Sequence, residues 1–231
     1  MRGGGSAPNP DVMTEEYTEG YKAKLVETKQ AWARAGRLLT GKTGEHGVDR
    51  LPPGQRLVEN WPILDLGIQP DVAPADWRLT IDGMVAQDLT WDWNSFLAHP
   101  QIEIVSDIHC VTQWSRYDNR WTGVSTRHLF EAADVAKDAT HVLLASYDGY
   151  TTNLRLEDFL DEDCVLAHRH DGQAISREHG GPVRLVVPRY YFWKSPKWLK
   201  RITFSAEDKP GFWEERGYHN VGDPWLEQRY D

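Results

Sequence analysis

Between Trp77 and Phe204 the chain carries six short runs, 77–81, 102–108, 141–147, 164–169, 183–187 and 201–204, that are β-branched or alternate apolar with polar residues. Runs of that length and pattern read as strands. The gaps between them are irregular and no internal repeat is visible. Helical patterning is confined to 91–98 after Thr90, 126–133 after Ser125, and 156–160. A doubly wound fold would alternate strand and helix regularly, so the pattern points to α+β. No linker interrupts the chain after Trp77. The expected organisation is one domain over 51–231, preceded by a flexible segment and a peripheral helix over 1–50.

Thr14 is a candidate cap for that helix, Glu15 and Glu16 suit its first turn, and Tyr17, Tyr21, Leu25 and Trp32 form a narrow apolar stripe. Its end overlaps Gly36-Arg37-Leu38-Leu39-Thr40-Gly41-Lys42-Thr43, which satisfies the P-loop pattern. A P-loop works between a buried strand and a helix whose amino end receives phosphate. Here a polar helix precedes the motif and Gly44-Glu45-His46-Gly47 follows it, so it reads as a helix stop and loop. The proline-punctuated stretch 51–74 should be extended and ordered.

The formal charge of −9 excludes a general nucleic-acid binder, whose footprint is basic. No apolar stretch approaches membrane-spanning length. Two cysteines cannot make a disulfide framework, and with no apolar leader at the N-terminus the expectation is a cytoplasmic protein.

Cys110 and Cys164 read differently. Cys164 sits in an apolar run and reads as a small buried hydrophobe. Cys110, in Ser106-Asp107-Ile108-His109-Cys110-Val111-Thr112-Gln113-Trp114, stands where a strand gives way to a polar loop, a usual place for functional side chains. A thiolate there suits a soft or high-valent metal, or a nucleophile. His109 is a poor base for it, since neighbours on a strand point to opposite faces. Far downstream, Glu178-His179-Gly180-Gly181-Pro182-Val183-Arg184 and Trp193-Lys194-Ser195-Pro196-Lys197-Trp198 gather N–H and O–H donors. Arg184 and Lys197 are placed to converge on one phosphate, where charge-assisted bonds are strong.

These two motifs, in this order and far apart, resemble the molybdopterin-binding domain of the sulfite oxidase family over about 57–204. The small bacterial and archaeal sulfite-oxidase-like proteins share the later Gly211-Phe212-Trp213-Glu214-Glu215-Arg216-Gly217-Tyr218 pattern as well. The resemblance implies a mixed-sheet α+β fold and a molybdenum held by one molybdopterin, without haem. It makes Cys110 the metal ligand, with Thr112 close by. It places His179, Arg184, Lys194, Ser195 and Lys197 on the pterin and its phosphate, and Asn60 and Trp61 in an early cofactor-contacting loop. Tyr150 falls in another cofactor-facing turn.

The chain departs from the family pattern at telling points. Sulfite oxidases follow the cysteine with alanine, glycine and an asparagine–arginine pair; here Val111-Thr112-Gln113-Trp114 stands, and Arg116 is the nearest arginine. Trp61 replaces a histidine. The C-V-x-x-W form is nearer the branch that reduces protein methionine sulfoxide, although that branch has an acidic residue where Thr112 stands. The implied activity is a two-electron oxygen-atom transfer to or from a small sulfur or nitrogen substrate, with a separate electron-transfer partner, Arg116 and Tyr150 near the substrate, and Trp61, Trp114 and Trp121 as candidate walls. Read from the residues without the resemblance, three alternatives stay open: a zinc site using His168 and His170 with His109 or His179, a Cys–His hydrolase, and a non-catalytic binding module.

Overall fold

The computed structural model describes residues 50–231, together with Glu27, which is helical and exposed. The rest of the candidate helix over 14–37 and the P-loop-like segment lie outside the described residues. The strands are β1 (Arg56–Leu57), β2 (Arg78–Gly83), β3 (Leu89–Asp92), β4 (Ile102–Cys110), β5 (Trp114–Ser125), β6 (His141–Ser146), β7 (Thr151–Arg155), β8 (Val165–His170), β9 (Gln173–Ala174), β10 (Arg184–Val186) and β11 (Leu199–Ser205). The helices are short: α1 (Trp93–Ala98), α2 (Thr126–Ala132) and α3 (Leu156–Phe159).

Two mixed sheets result. In the first, β5 is the spine: antiparallel β4 runs along one edge, while β1 (parallel) and β8 (antiparallel) share the other, and β10 and β9 extend it from β8. The second has the order β3-β2-β11-β6-β7, with β2 and β11 parallel and the other pairs antiparallel. All six expected strands are present, with ends shifted by a few residues.

Besides the unmarked short strands β1, β3 and β9, three elements differ from expectation. The polar stretch after Cys110 is not a loop but a three-residue turn leading into the twelve-residue β5. Its sequence hides it, because Arg116, Asp118, Asn119 and Arg120 break the apolar alternation and pairing on both edges supplies the stability instead. Strand β7 was likewise unmarked. Helix α1 starts two residues late: Trp91 pairs with Leu79 in β3, and Asp92 rather than Thr90 caps, with Ser95 completing a capping box.

Strand alternation divides the core. Leu166 of β8, Leu185 of β10 and Val124 of β5 face the second sheet and pack with Ile81, Val142, Leu144 and Ile202. Val165, Ala167, Val186 and Trp121 point to the opposite face, against Ile108, Cys110, Trp114, Tyr191 and Trp193. The first sheet is therefore buried on both faces, which explains why β8 and β10 read as continuous apolar runs. The outer face, covered by loops and by residues after β11, holds the cavity described next.

Candidate functional site

Cys110 is the last residue of β4. The backbone turns immediately beyond it: Gln113 N donates to Cys110 O at 3.0 Å, and Gln113 takes φ 67°, the left-handed conformation that closes a three-residue hairpin loop. Gln55 Nε2 donates to the same carbonyl at 3.2 Å. Thr112 Oγ1 lies 3.2 Å from Cys110 Sγ. His109 points elsewhere, its Nδ1 2.8 Å from Ser115 Oγ, so it is no base for the thiol.

Cys110, Val111, Thr112 and Trp114 form one wall of a cavity. Trp61 and Leu66 from the early loop, Ser146, Asp148 and Tyr150 from the β6–β7 turn, and Arg184, Ser195 and Lys197 form others. Two segments some seventy residues apart are thus brought to one space, because β10 is joined to β5 through β8.

Arg184 is 1% exposed and has no acidic partner among the described residues. Its guanidinium donates to His179 O at 2.8 Å and Ser195 O at 2.7 Å, and lies over the Phe192 ring at 4.2 Å and the Trp61 ring at 5.3 Å. Burial brings its pKa down to about 9. A buried cation answered by carbonyl dipoles and ring faces alone is short of one counter-charge. Lys197 Nζ reaches Glu178 O at 2.5 Å, and Ser195 Oγ accepts from Val187 N at 2.9 Å. Gly180 keeps this turn tight: φ is 103°, and a Cβ would stand 2.6 Å from Lys197 Cβ.

His179 does not line the cavity but backs it. Its ring stacks on Trp61 at 3.9 Å, and Nε2 lies 3.2 Å from Trp61 O. A carbonyl only accepts, so Nε2 carries the proton and Nδ1 accepts from Ser176 Oγ at 3.0 Å. Burial lowers its pKa to about 4 and keeps it neutral.

Other sequence candidates, like His179, stand apart from the cavity or differently in it. Asn60 is exposed and off the lining. Lys194 is buried behind the wall, 2.6 Å from Glu214 Oε1. Arg116 is also off the lining; it bonds Asp171 at 2.9 Å and Glu59 O at 3.1 Å, and touches Asn119 and His170. Tyr150 lines the cavity, but its hydroxyl donates to Trp193 O at 2.6 Å, and burial pushes its pKa well above the ordinary value. Trp114 is a wall residue as expected, whereas Trp121 is packed in the sheet. Asp65, Ser146, Asp148, Trp213 and Tyr218 were not anticipated; the turn Asp148-Gly149-Tyr150 was the available signal for two of them.

Among the described residues no group of three or more His, Cys, Asp or Glu is placed to hold a metal ion. His168 packs on Trp93 and Phe96, while His170 packs on Trp61 and Trp121. A zinc site from these histidines is not assembled. Cys164 Sγ donates to Asp158 O in the core, as a structural cysteine would.

The donor set does fit an anionic organic cofactor that brings its own soft ligands to the metal. It offers one thiol, an uncompensated buried cation, a second ammonium and stacking rings. Two more buried polar atoms on lining residues, Trp114 Nε1 and Ser146 Oγ, have no hydrogen-bond partner among the described residues. Unmet donors at a cavity mark a missing ligand.

The comparisons with known proteins agree. The family described as "Oxidoreductase molybdopterin binding domain" matches residues 66–213. The chain is 44% identical over 182 residues to "Uncharacterized oxidoreductase YuiH" of Bacillus subtilis, covering 78% of this chain and 92% of that one. It is 28% identical over 177 residues to "Protein-methionine-sulfoxide reductase catalytic subunit MsrP" of Gluconobacter oxydans, covering 67% and 56%. The solved sulfane dehydrogenase SoxCD of Paracoccus pantotrophus superposes with a TM-score of 0.56 at 22% identity, over 60% of this chain and 40% of that one. That likeness shows the fold. The class defined by fold and site is a molybdopterin-binding oxidoreductase. The chain belongs to the sulfite oxidase family, whose cofactor is molybdenum with molybdopterin. Among the described residues no helix is long and apolar enough to cross a membrane.

Proposed function

We propose that the protein catalyses two-electron oxygen-atom transfer to or from a small sulfur or nitrogen substrate, exchanging electrons with a separate redox partner. The observation that carries the reading is the placement of Cys110 and the uncompensated Arg184 on one cavity. Residues 51–231 act as one unit in this reading, and two unbridged, buried cysteines fit a cytoplasmic protein.

Cys110 is the protein ligand to the metal, and Thr112 holds the sulfur in place by its hydroxyl. Arg184 and Lys197 receive the pterin phosphate, with Ser195 beside them. Trp61, backed by His179, offers a flat face to the ring system, while the neighbouring Asn60 is exposed and off the lining. When bound, the cofactor supplies the two-electron chemistry, and the chain orients it and excludes water. Arg116 is held by Asp171 away from the cavity, so the role of an anion-attracting residue falls outside this reading. Tyr150, its proton committed to Trp193 O, shapes the site rather than donating a proton to substrate.

The test is metal and pterin analysis of protein made in a molybdenum-competent host. Wild type should carry near-stoichiometric molybdenum and pterin, and Cys110→Ala should lose the metal. Zinc, or no metal in wild type, refutes the reading. Sulfite oxidation and sulfoxide reduction with artificial dyes then give the direction.

A further inference from the structure

After β11 the chain returns to the cavity. Phe212 N donates to Thr151 O at 2.9 Å, and both Trp213 and Tyr218 line the cavity. Between them Glu214 turns inward, its side chain 2% exposed. Its Oε1 receives Lys194 Nζ at 2.6 Å, Trp193 Nε1 at 3.0 Å and Thr152 Oγ1 at 3.0 Å. Lys194 Nζ also donates to Asn153 Oδ1 at 2.9 Å and Asn153 O at 3.1 Å.

This single carboxylate therefore ties together the wall on that side. Trp193 presents its ring to the cavity, and its carbonyl accepts from Tyr150. Tyr218 stands edge-on to Trp193 at 5.0 Å and stacks on Trp213 at 4.7 Å. Gly222 lies flat against the Trp193 ring; a Cβ there would be 2.7 Å from Cζ2. A buried ion pair is a costly way to hold a wall. Here Oε1 takes three donors while the equally buried Oε2 has no hydrogen-bond partner among the described residues, so the carboxylate's bonding is directed wholly at Lys194, Trp193 and Thr152.

We propose that Glu214 is a positioning residue that locks the Trp193–Trp213–Tyr218 wall, and that this wall sets substrate specificity by admitting only substrates of small cross-section. The proposal rests on the oxygen-atom-transfer reading above. Rigid aromatic walls discriminate by shape, since an indole held by its N–H and its backbone cannot swing aside for a larger group. Lys194 acts through Glu214, neutralising the carboxylate so that it can remain buried.

The test uses cofactor-loaded protein labelled with 5-fluorotryptophan, and two probes, dimethyl sulfoxide and methyl phenyl sulfoxide. Reduction follows R2SO + 2 H+ + 2 e− → R2S + H2O, with two equivalents of reduced benzyl viologen as electron donor. Tyr218→Ala should raise the kcat/KM ratio of methyl phenyl sulfoxide to dimethyl sulfoxide by about tenfold or more. Glu214→Gln should raise KM for dimethyl sulfoxide by a larger factor than it lowers kcat, about tenfold. It should also shift and broaden the Trp193 fluorine resonance, assigned by its loss in Trp193→Phe, while Trp77 and Trp91 stay in place. If Glu214→Gln does not fold, Glu214→Gln with Lys194→Met removes the uncompensated ammonium and carries the same measurements. An unchanged probe ratio in Tyr218→Ala, or an unmoved Trp193 resonance in the Glu214 variant, overturns the proposal. Wild type inactive on both probes counts against the catalytic reading instead, and the fluorine spectra then judge the wall by themselves.

Discussion

Replacing Arg184 by Met should have opposite effects on the empty and the loaded protein. In the empty protein the guanidinium is buried with a pKa brought to about 9 by desolvation. Against its ordinary value above 12, that makes the charged form costlier in the fold by roughly 5 kcal/mol. Removing it leaves His179 O and Ser195 O without a donor, about 1 kcal/mol each, and forfeits ring contacts worth about 1 kcal/mol. Cofactor-free Arg184→Met should therefore be more stable than cofactor-free wild type by about 2 kcal/mol, within the range for buried charges replaced by apolar groups. The sign with pH follows: a depressed cationic pKa penalises the fold wherever the group is charged. The gain is thus full below pH 9 and shrinks as pH rises above it. With cofactor bound, the same substitution removes the phosphate's counter-charge, and pterin content should fall severalfold. Urea unfolding of protein from a host lacking molybdopterin synthesis measures the first effect, and pterin analysis from a competent host the second. A cofactor-free variant destabilised by about 2 kcal/mol or more, with full pterin loading, would refute the reasoning.

Three further outcomes are expected. Lys194→Met alone should destabilise by about 3–5 kcal/mol, since it strands Glu214 as a buried unpaired charge, and Lys194→Met with Glu214→Leu should recover most of that in a urea titration. His170 and His179 are both held near pKa 4 by burial, so the unfolded chain binds protons first as pH falls from about 6.5. Stability should be lost progressively between pH 6.5 and 4, by at most roughly 3 kcal/mol per histidine, and His179→Phe should flatten the curve; an unchanged profile would rule this out. Gly180→Ala should cost more than about 1 kcal/mol and lower pterin loading, because both φ and the Lys197 side chain oppose a Cβ, as thermal unfolding and pterin analysis can check.

Much of the fold was legible because its strands carry their own signals. The runs at 102–108, 164–169 and 183–187 are apolar enough to announce β4, β8 and β10. Strand β5 was not, because its residues are stabilised by partners on both edges rather than by their own alternation. The shift of α1 was a contest of caps: Thr90 lost to Asp92 once Trp91 paired with Leu79. Within the site, Cys110, Arg184, Ser195 and Lys197 were readable from residue type and position. Trp213 and Tyr218 belong to the Gly211–Tyr218 pattern, but nothing in that pattern says that they line a cavity, and only the return of the chain after β11 carries them there.

The order and spacing of the strand runs, the lone cysteine at a strand's end and the distant cluster of donors were determined by the amino-acid sequence itself. They sufficed for the α+β class and for the family. Which of the candidate side chains share one space was decided by tertiary structure. Local sequence says where a strand ends, but not which strand lies beside it. Pairing through β8 brings Arg184 to the cavity of Cys110, while Asp171 draws Arg116 out of it and Glu214 takes Lys194 behind the wall. Charge finds its counter-charge in three dimensions, and Arg184, fully buried and without a carboxylate partner among the described residues, marks the site.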